Sequence, residues 1–177
     1  MNKTPQYILP SGVSGFLRES ENTIIQFDHQ LFVKSCETVG SKIENFQFSH
    51  LDLFKNDLNK SYLYAYYKRE NTADLIISCN KYFPIVAFSE VLDEENDPSE
   101  NPFPDNQFCD LISLHSVFEC NFQILDKAYL TTKVDADDEE NSKKVSQLTN
   151  YEFSEFSYWQ PQIIGDILFN DWEKNPA

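Results

Sequence analysis

Three consecutive runs of strand-forming residues constrain this chain most. Ser61-Tyr-Leu-Tyr-Ala-Tyr-Tyr67, Ala73-Asp-Leu-Ile-Ile-Ser-Cys79 and Tyr82-Phe-Pro-Ile-Val-Ala-Phe88 are rich in aromatic and β-branched side chains. Only short polar breaks, Asn71-Thr72 and Asn80-Lys81, separate them. Breaks that short allow neighbouring strands to pair only antiparallel, so the spacing predicts a meander. Pro84 has no N–H to donate, which puts the third run at an edge or leaves the proline near its start.

The flanks supply cover for such a sheet. Residues 1–22 read as an irregular arm with turns at Pro10 and Gly12. Ile25, Phe27, Leu31 and Val33 fall in period two and predict a strand or two over Thr23–Val33, and Phe46 and Phe48 do the same for a short strand over Ile43–Phe48. Ser49 with Asp52 three residues on resembles a capping box and predicts a short helix carrying Leu51, Phe54 and Leu58. Residues 109–118 predict a helix or strand and 121–125 a strand, with another short run over 129–134. Thr149 with Glu152 is a second capping box, predicting a helix over about 150–158 that presents Phe153, Phe156 and Trp159. Pro161 suits the first turn of a last helix over 161–173, whose Ile163, Ile164, Ile167 and Leu168 form one apolar stripe edged by Trp172. Gly165 inside it costs about 1 kcal/mol relative to Ala, which points to a close approach to another backbone. The expected architecture is α+β in one domain, 1–177: a mainly antiparallel sheet, helices packed on one face, and a C-terminal helix.

Charge is unevenly placed. Residues 1–81 carry 9 basic and 9 acidic residues, whereas residues 82–177 carry 5 basic and 20 acidic, so the whole net charge of −15 lies in the second half. Much of it falls in two loops, 93–107 and 135–141. A one-sided field steers association with a cationic partner and disfavours nucleic acid and anionic membrane. No stretch is long and apolar enough to span a bilayer, and Met1–Ser20 lacks the apolar run of a signal peptide, so the expected compartment is the cytoplasm. There Cys36, Cys79, Cys109 and Cys120 are expected as free thiols, the buried ones behaving as small hydrophobes.

No catalytic residue, metal or cofactor is expected. Asp135, Asp137, Asp138, Glu139 and Glu140 offer oxygen atoms, but the glycine and closing glutamate of a calcium loop are missing, so they read as a solvated charge run. His29, His50 and His115 show no zinc-ligand spacing. With four glycines the chain holds no phosphate-cradling loop, and GxSxG and SxxK are absent. A cysteine-dependent hydrolase, assembled from a Cys–His pair in space, remains an alternative, as does a structural or adaptor protein with a permanent partner.

Two segments resemble bacterial immunity proteins, the antidotes of contact-dependent growth inhibition and other polymorphic toxin systems. Asn80-Lys-Tyr-Phe-Pro-Ile-Val-Ala-Phe88 is similar to a strand motif N-x-Y-[FY]-P-x-x-A-F. Tyr158-Trp-Gln-Pro-Gln-Ile-Ile-Gly-Asp-Ile-Leu-Phe-Asn-Asp-Trp172 is similar to a terminal motif Y-W-x-P-x-x-[IV]-G-[DE]-x-[IL]-F-N-x-W. Together they cover 24 of 177 residues. The resemblance implies a non-enzymatic cytoplasmic protein that binds and neutralises one cognate toxin domain, most often a nuclease. Charge placement nominates Asp93, Glu94, Glu95 and Asp97 in the first loop as toxin-binding residues, and Asp135, Asp137, Asp138, Glu139 and Glu140 in the second.

Overall fold

The computed structural model describes residues 7–16, 27–53, 59–91, 107–134 and 139–172. The three runs form the predicted meander: β2 (Tyr62–Arg69), β3 (Asp74–Asn80) and β4 (Ile85–Val91) pair antiparallel in sequence order. At the first break Asn71 takes a left-handed φ of 60°, which Asn tolerates better than most residues. Asp74 closes that hairpin by accepting from the Arg69 amide at 3.1 Å and from the Tyr66 hydroxyl. Pro84 stands just before β4, where its missing N–H interrupts no ladder bond.

Either edge is extended. On one side β1 (Phe46–Asp52) pairs antiparallel with β2, its register shifting between Phe48 and His50. The shift puts Phe46, Phe48 and Leu51 on one face. On the other side two short strands share the edge of β4. β5 (Phe108–Cys109) runs antiparallel beside Phe88 and Ser89, and β6 (Gln123–Ile124) runs parallel beside Ile85 and Val86. Thus an antiparallel sheet with surrounding helices, including a C-terminal one, makes the α+β fold.

The helices cover both faces of the sheet, not the single face expected. Leu63, Ala65, Tyr67, Leu75, Ile77, Cys79, Val86 and Phe88 point to one side. There they pack with Phe32, Cys36 and Val39 of α1 (His29–Lys42) and with Leu114 and Phe118 of α2 (Ile112–Phe118). Tyr62, Tyr64, Ile76, Ile85, Ala87 and Val91 point to the other, under Leu130 of α3 (Lys127–Leu130) and Ile164, Ile167 and Leu168 of α6 (Ile164–Leu168). The reason lies in β2 to β4, which carry apolar residues at successive positions, so neither side can face water without exposing them.

Several local expectations change. Residues from His29 onward form α1 instead of a strand. Asp28 caps it by accepting from the Gln30 amide at 2.9 Å, and the sparse apolar residues Phe32, Cys36 and Val39 recur at helical spacing. The capping-box reading at Ser49 fails because Phe46 to Asp52 are held by β2; residues 54–58 lie outside the described set. Residues 129–134 divide between the end of α3 and an isolated bridge from Lys133 to Ile163. The arm, over its described residues 7–16, is irregular as expected but docked: Leu9, Val13 and Phe16 are buried, with left-handed glycines at 12 and 15.

The last helix is shorter than the predicted 161–173. α5 (Asn150–Trp159) ends where Gln160 turns left-handed at φ 50°. α6 starts only at Ile164, with the Asp166 carboxylate accepting from the Gln162 and Ile163 amides at 2.8 and 3.1 Å. Past Phe169 the backbone is captured by Ser61, whose amide donates to Asn170 O and whose hydroxyl oxygen accepts from the Asn170 amide, both at 2.8 Å. These bonds replace another helical turn. Gly165 has its close neighbour, but it is a ring and not a backbone: an added Cβ would lie 2.3 Å from Cε2 of Phe108.

Candidate functional site

Seven of the nine acidic candidates, Asp93, Glu94, Glu95, Asp97, Asp135, Asp137 and Asp138, lie outside the described residues. Glu139 and Glu140 open α4 (Glu139–Lys144) and are exposed. Glu139 is paired with Lys143 at 3.0 Å across one turn. Among the described residues one other ion pair forms, Arg69 with Glu90 at 2.8 Å. Several other described carboxylates of the second half cap helices or hold loops. Asp126 caps α3 through the Tyr129 amide, and Asp110 accepts from the Lys127 amide, both at 2.7 Å. Asp166 caps α6, and Asp171 is exposed.

Glu152 does more than its capping box required. It is fully buried, and its two oxygens accept from the amides of Thr149, Gly12 and Ser14 at 2.9, 3.0 and 3.3 Å, and from the Ser14 hydroxyl at 2.6 Å. One carboxylate therefore starts α5 and moors the arm. Asn80 plays a similar part at the end of β3. Its amide nitrogen donates to Val13 O and Leu168 O at 2.9 and 2.7 Å, while its oxygen accepts from the Tyr82 and Phe83 amides. The segment 80–88 is thus joined directly to the segment 158–172.

The thiols are free, as expected. Burial pushes the Cys36 thiol up to about 12 and Cys79 well above its ordinary value. Cys109 is pushed up to about 11, by burial first and then by the Glu90 carboxylate. These three are protonated near neutrality and are poor nucleophiles; Cys120 is exposed. The histidines have structural partners: His29 Nε2 lies 2.8 Å from Lys81 O, His50 Nε2 lies 2.9 Å from the Tyr64 hydroxyl, and His115 stacks on Phe88. No trio of metal-ligating side chains gathers among the described residues. No helix there is long and apolar enough to cross a membrane.

A cavity of about 230 Å³ opens where α5 hands over to α6. Tyr62, Phe108 and Phe169 contribute aromatic walls. Trp159 lines it from the end of α5, Gln160 and Pro161 from the connection, Gly165 and Asp166 from α6, and Asn170, Asp171 and Trp172 from beyond. The indoles of Trp159 and Trp172 lie parallel within 3°, their centroids 6.0 Å apart. Trp172 is held further by stacking on Phe16 at 5.8 Å and by the edge of Phe156 at 6.0 Å. Two polar atoms here have no hydrogen-bond partner, Trp159 Nε1 and Asn170 Oδ1. The Asn170 amide is fixed in that orientation, because its nitrogen donates to Ser14 O at 3.1 Å and Ile167 O at 2.9 Å. Sequence reading placed Trp159 with Phe153 and Phe156 among the side chains that one helix presents and Trp172 at the edge of the next stripe, and missed the cavity. The available signal was that both tryptophans of the chain fall within one fifteen-residue stretch.

Comparison with protein-family models, curated proteins and solved structures finds no match to this chain.

Proposed function

We propose that this chain is a bacterial immunity protein, acting in the cytoplasm without chemistry of its own. It binds one cationic toxin domain, a nuclease, and occludes its phosphate-binding cleft. The observation that carries the reading is the charge: −15 confined to residues 82–177, with Lys143–Glu139 as the one ion pair formed wholly within the described part of that half. An acidic excess of this size favours a basic partner, and such complementarity raises association rates and selects the partner. The resemblance of residues 80–88 and 158–172 to immunity proteins supports the same reading. The raised thiols of Cys36, Cys79 and Cys109 weigh against a cysteine hydrolase.

Co-expression tests it. The toxin-like product of the neighbouring gene is produced with and without this chain, and growth and co-purification are followed. Rescue with a complex that weakens as salt rises supports the proposal. A toxic product that is neither neutralised nor bound overturns it.

A further inference from the structure

We propose that the cavity between α5 and α6 receives an arginine side chain of a basic protein partner. The inference deepens the binding role above and rests on the partner being cationic. Its walls fit a guanidinium. Tyr62, Phe108, Trp159, Phe169 and Trp172 give the lining five aromatic rings, and a planar, weakly hydrated cation is drawn to such rings. Two carboxylates belong to the lining, the exposed Asp171 and the half-buried Asp166. Asn170 is 4% exposed and its Oδ1 is an acceptor without a donor. A guanidinium brings five donors to such acceptors. Trp159 Nε1, a donor without an acceptor, matches a backbone carbonyl of the segment carrying the arginine.

Other occupants fit less well. A calcium ion takes six to eight oxygen ligands, more than two carboxylates and one amide provide, and Asp166 already accepts two amides. A stacked nucleotide would set its phosphate beside Asp166 and Asp171. The aromatic wall already attracts a cation of this chain: the Lys60 ammonium lies 5.6 Å from the centroid of Tyr62.

Trp159 and Trp172 are the two tryptophans of the chain, so its indole fluorescence reports on this cavity alone. The whole protein is titrated with N-acetyl-arginine amide and with the neutral isostere N-acetyl-citrulline amide at matched ionic strength. The arginine compound is expected to give a saturable change, with the citrulline compound about tenfold weaker. Asp171→Asn is expected to weaken the arginine response about threefold, as an exposed ion pair would, and Asp171→Lys to abolish it. Equal responses to the two compounds, no saturable response, or indifference to Asp171→Lys in a chain with unchanged circular dichroism would each overturn the proposal. Failure here with toxin binding intact removes the arginine site and leaves the immunity reading. An arginine response in a chain that binds no toxin does the reverse.

Discussion

Gly165→Ala measures how tightly α6 is pressed onto the sheet. The new Cβ would stand 2.3 Å from Cε2 and 2.6 Å from Cζ of Phe108. Carbon atoms in contact prefer about 3.5–4.0 Å, so the ring must withdraw by more than about 1 Å. Phe108 has little room: it is 3% exposed, pairs with Ser89 at the sheet edge, and lies against Phe169 at 6.2 Å. Overpacking of this kind costs about 1–3 kcal/mol. Replacing glycine in a helix returns at most about 1 kcal/mol, and less in a helix as short as α6. A net loss of about 1–2 kcal/mol is expected in urea unfolding followed by far-ultraviolet circular dichroism. Phe108→Leu shortens the obstructing ring. In that background Gly165→Ala should cost nothing or stabilise, giving a coupling of about 1–2 kcal/mol in the double-mutant cycle. A Gly165→Ala protein as stable as the parent, or a penalty that persists with Phe108→Leu, would refute the steric account.

Glu152→Ala should cost about 3–5 kcal/mol, because it strands the buried amides of Gly12, Ser14 and Thr149; hydrogen exchange at Gly12 and Ser14 should accelerate well before that at β3. Glu152→Gln keeps the size and one acceptor and should cost about half as much, which the same unfolding assay resolves. Toward a thiol reagent near neutral pH, Cys120 should react first and Cys36 and Cys79 only on unfolding, as peptide mapping would show. Because the folded Cys36 thiol is raised to about 12 from 9.0, its contribution to stability is intact below about 9 and is lost as pH climbs from there toward 12. Stability rising over that interval would contradict the placement of Cys36. Replacing Asp93, Glu94, Glu95 and Asp97, or Asp135, Asp137, Asp138, Glu139 and Glu140, by their amides should slow toxin association and flatten its dependence on salt; an unchanged salt slope would place the interface elsewhere.

What the sequence disclosed follows the range of the interactions involved. The meander was legible because β2, β3 and β4 are each dense in strand formers, and their pairing crosses only short breaks. The start of α5 was legible because Thr149 and Glu152 cap it within four residues. α1 was not, since its buried residues are sparse and the period-two pattern around Phe27 and Leu31 competes with Phe32, Cys36 and Val39. β5 and β6 are two residues each and exist because β4 offers an edge, so no local propensity announces them. Ser61 ends α6 from 109 residues away, and Glu152 reaches Gly12 across 140. The cavity draws Tyr62 and Phe108 onto a segment whose own residues supply the rest of its lining but do not disclose its shape.

The Asn80 and Asn170 amides give the order of synthesis a physical consequence. Asn80 donates to Val13 and Leu168, and Asn170 to Ser14, so the arm, the sheet and α6 lock together only when all three exist. On a ribosome, the first 100 or so residues hold β1 to β4 and α1, which covers part of one face while Leu114 and Phe118 of α2 are still to come. The other face, with Tyr62, Tyr64, Ile76 and Ala87, lacks Leu130 and then Ile164, Ile167 and Leu168 until they too are made. A chain that stops before Ile164 leaves part of that apolar face uncovered.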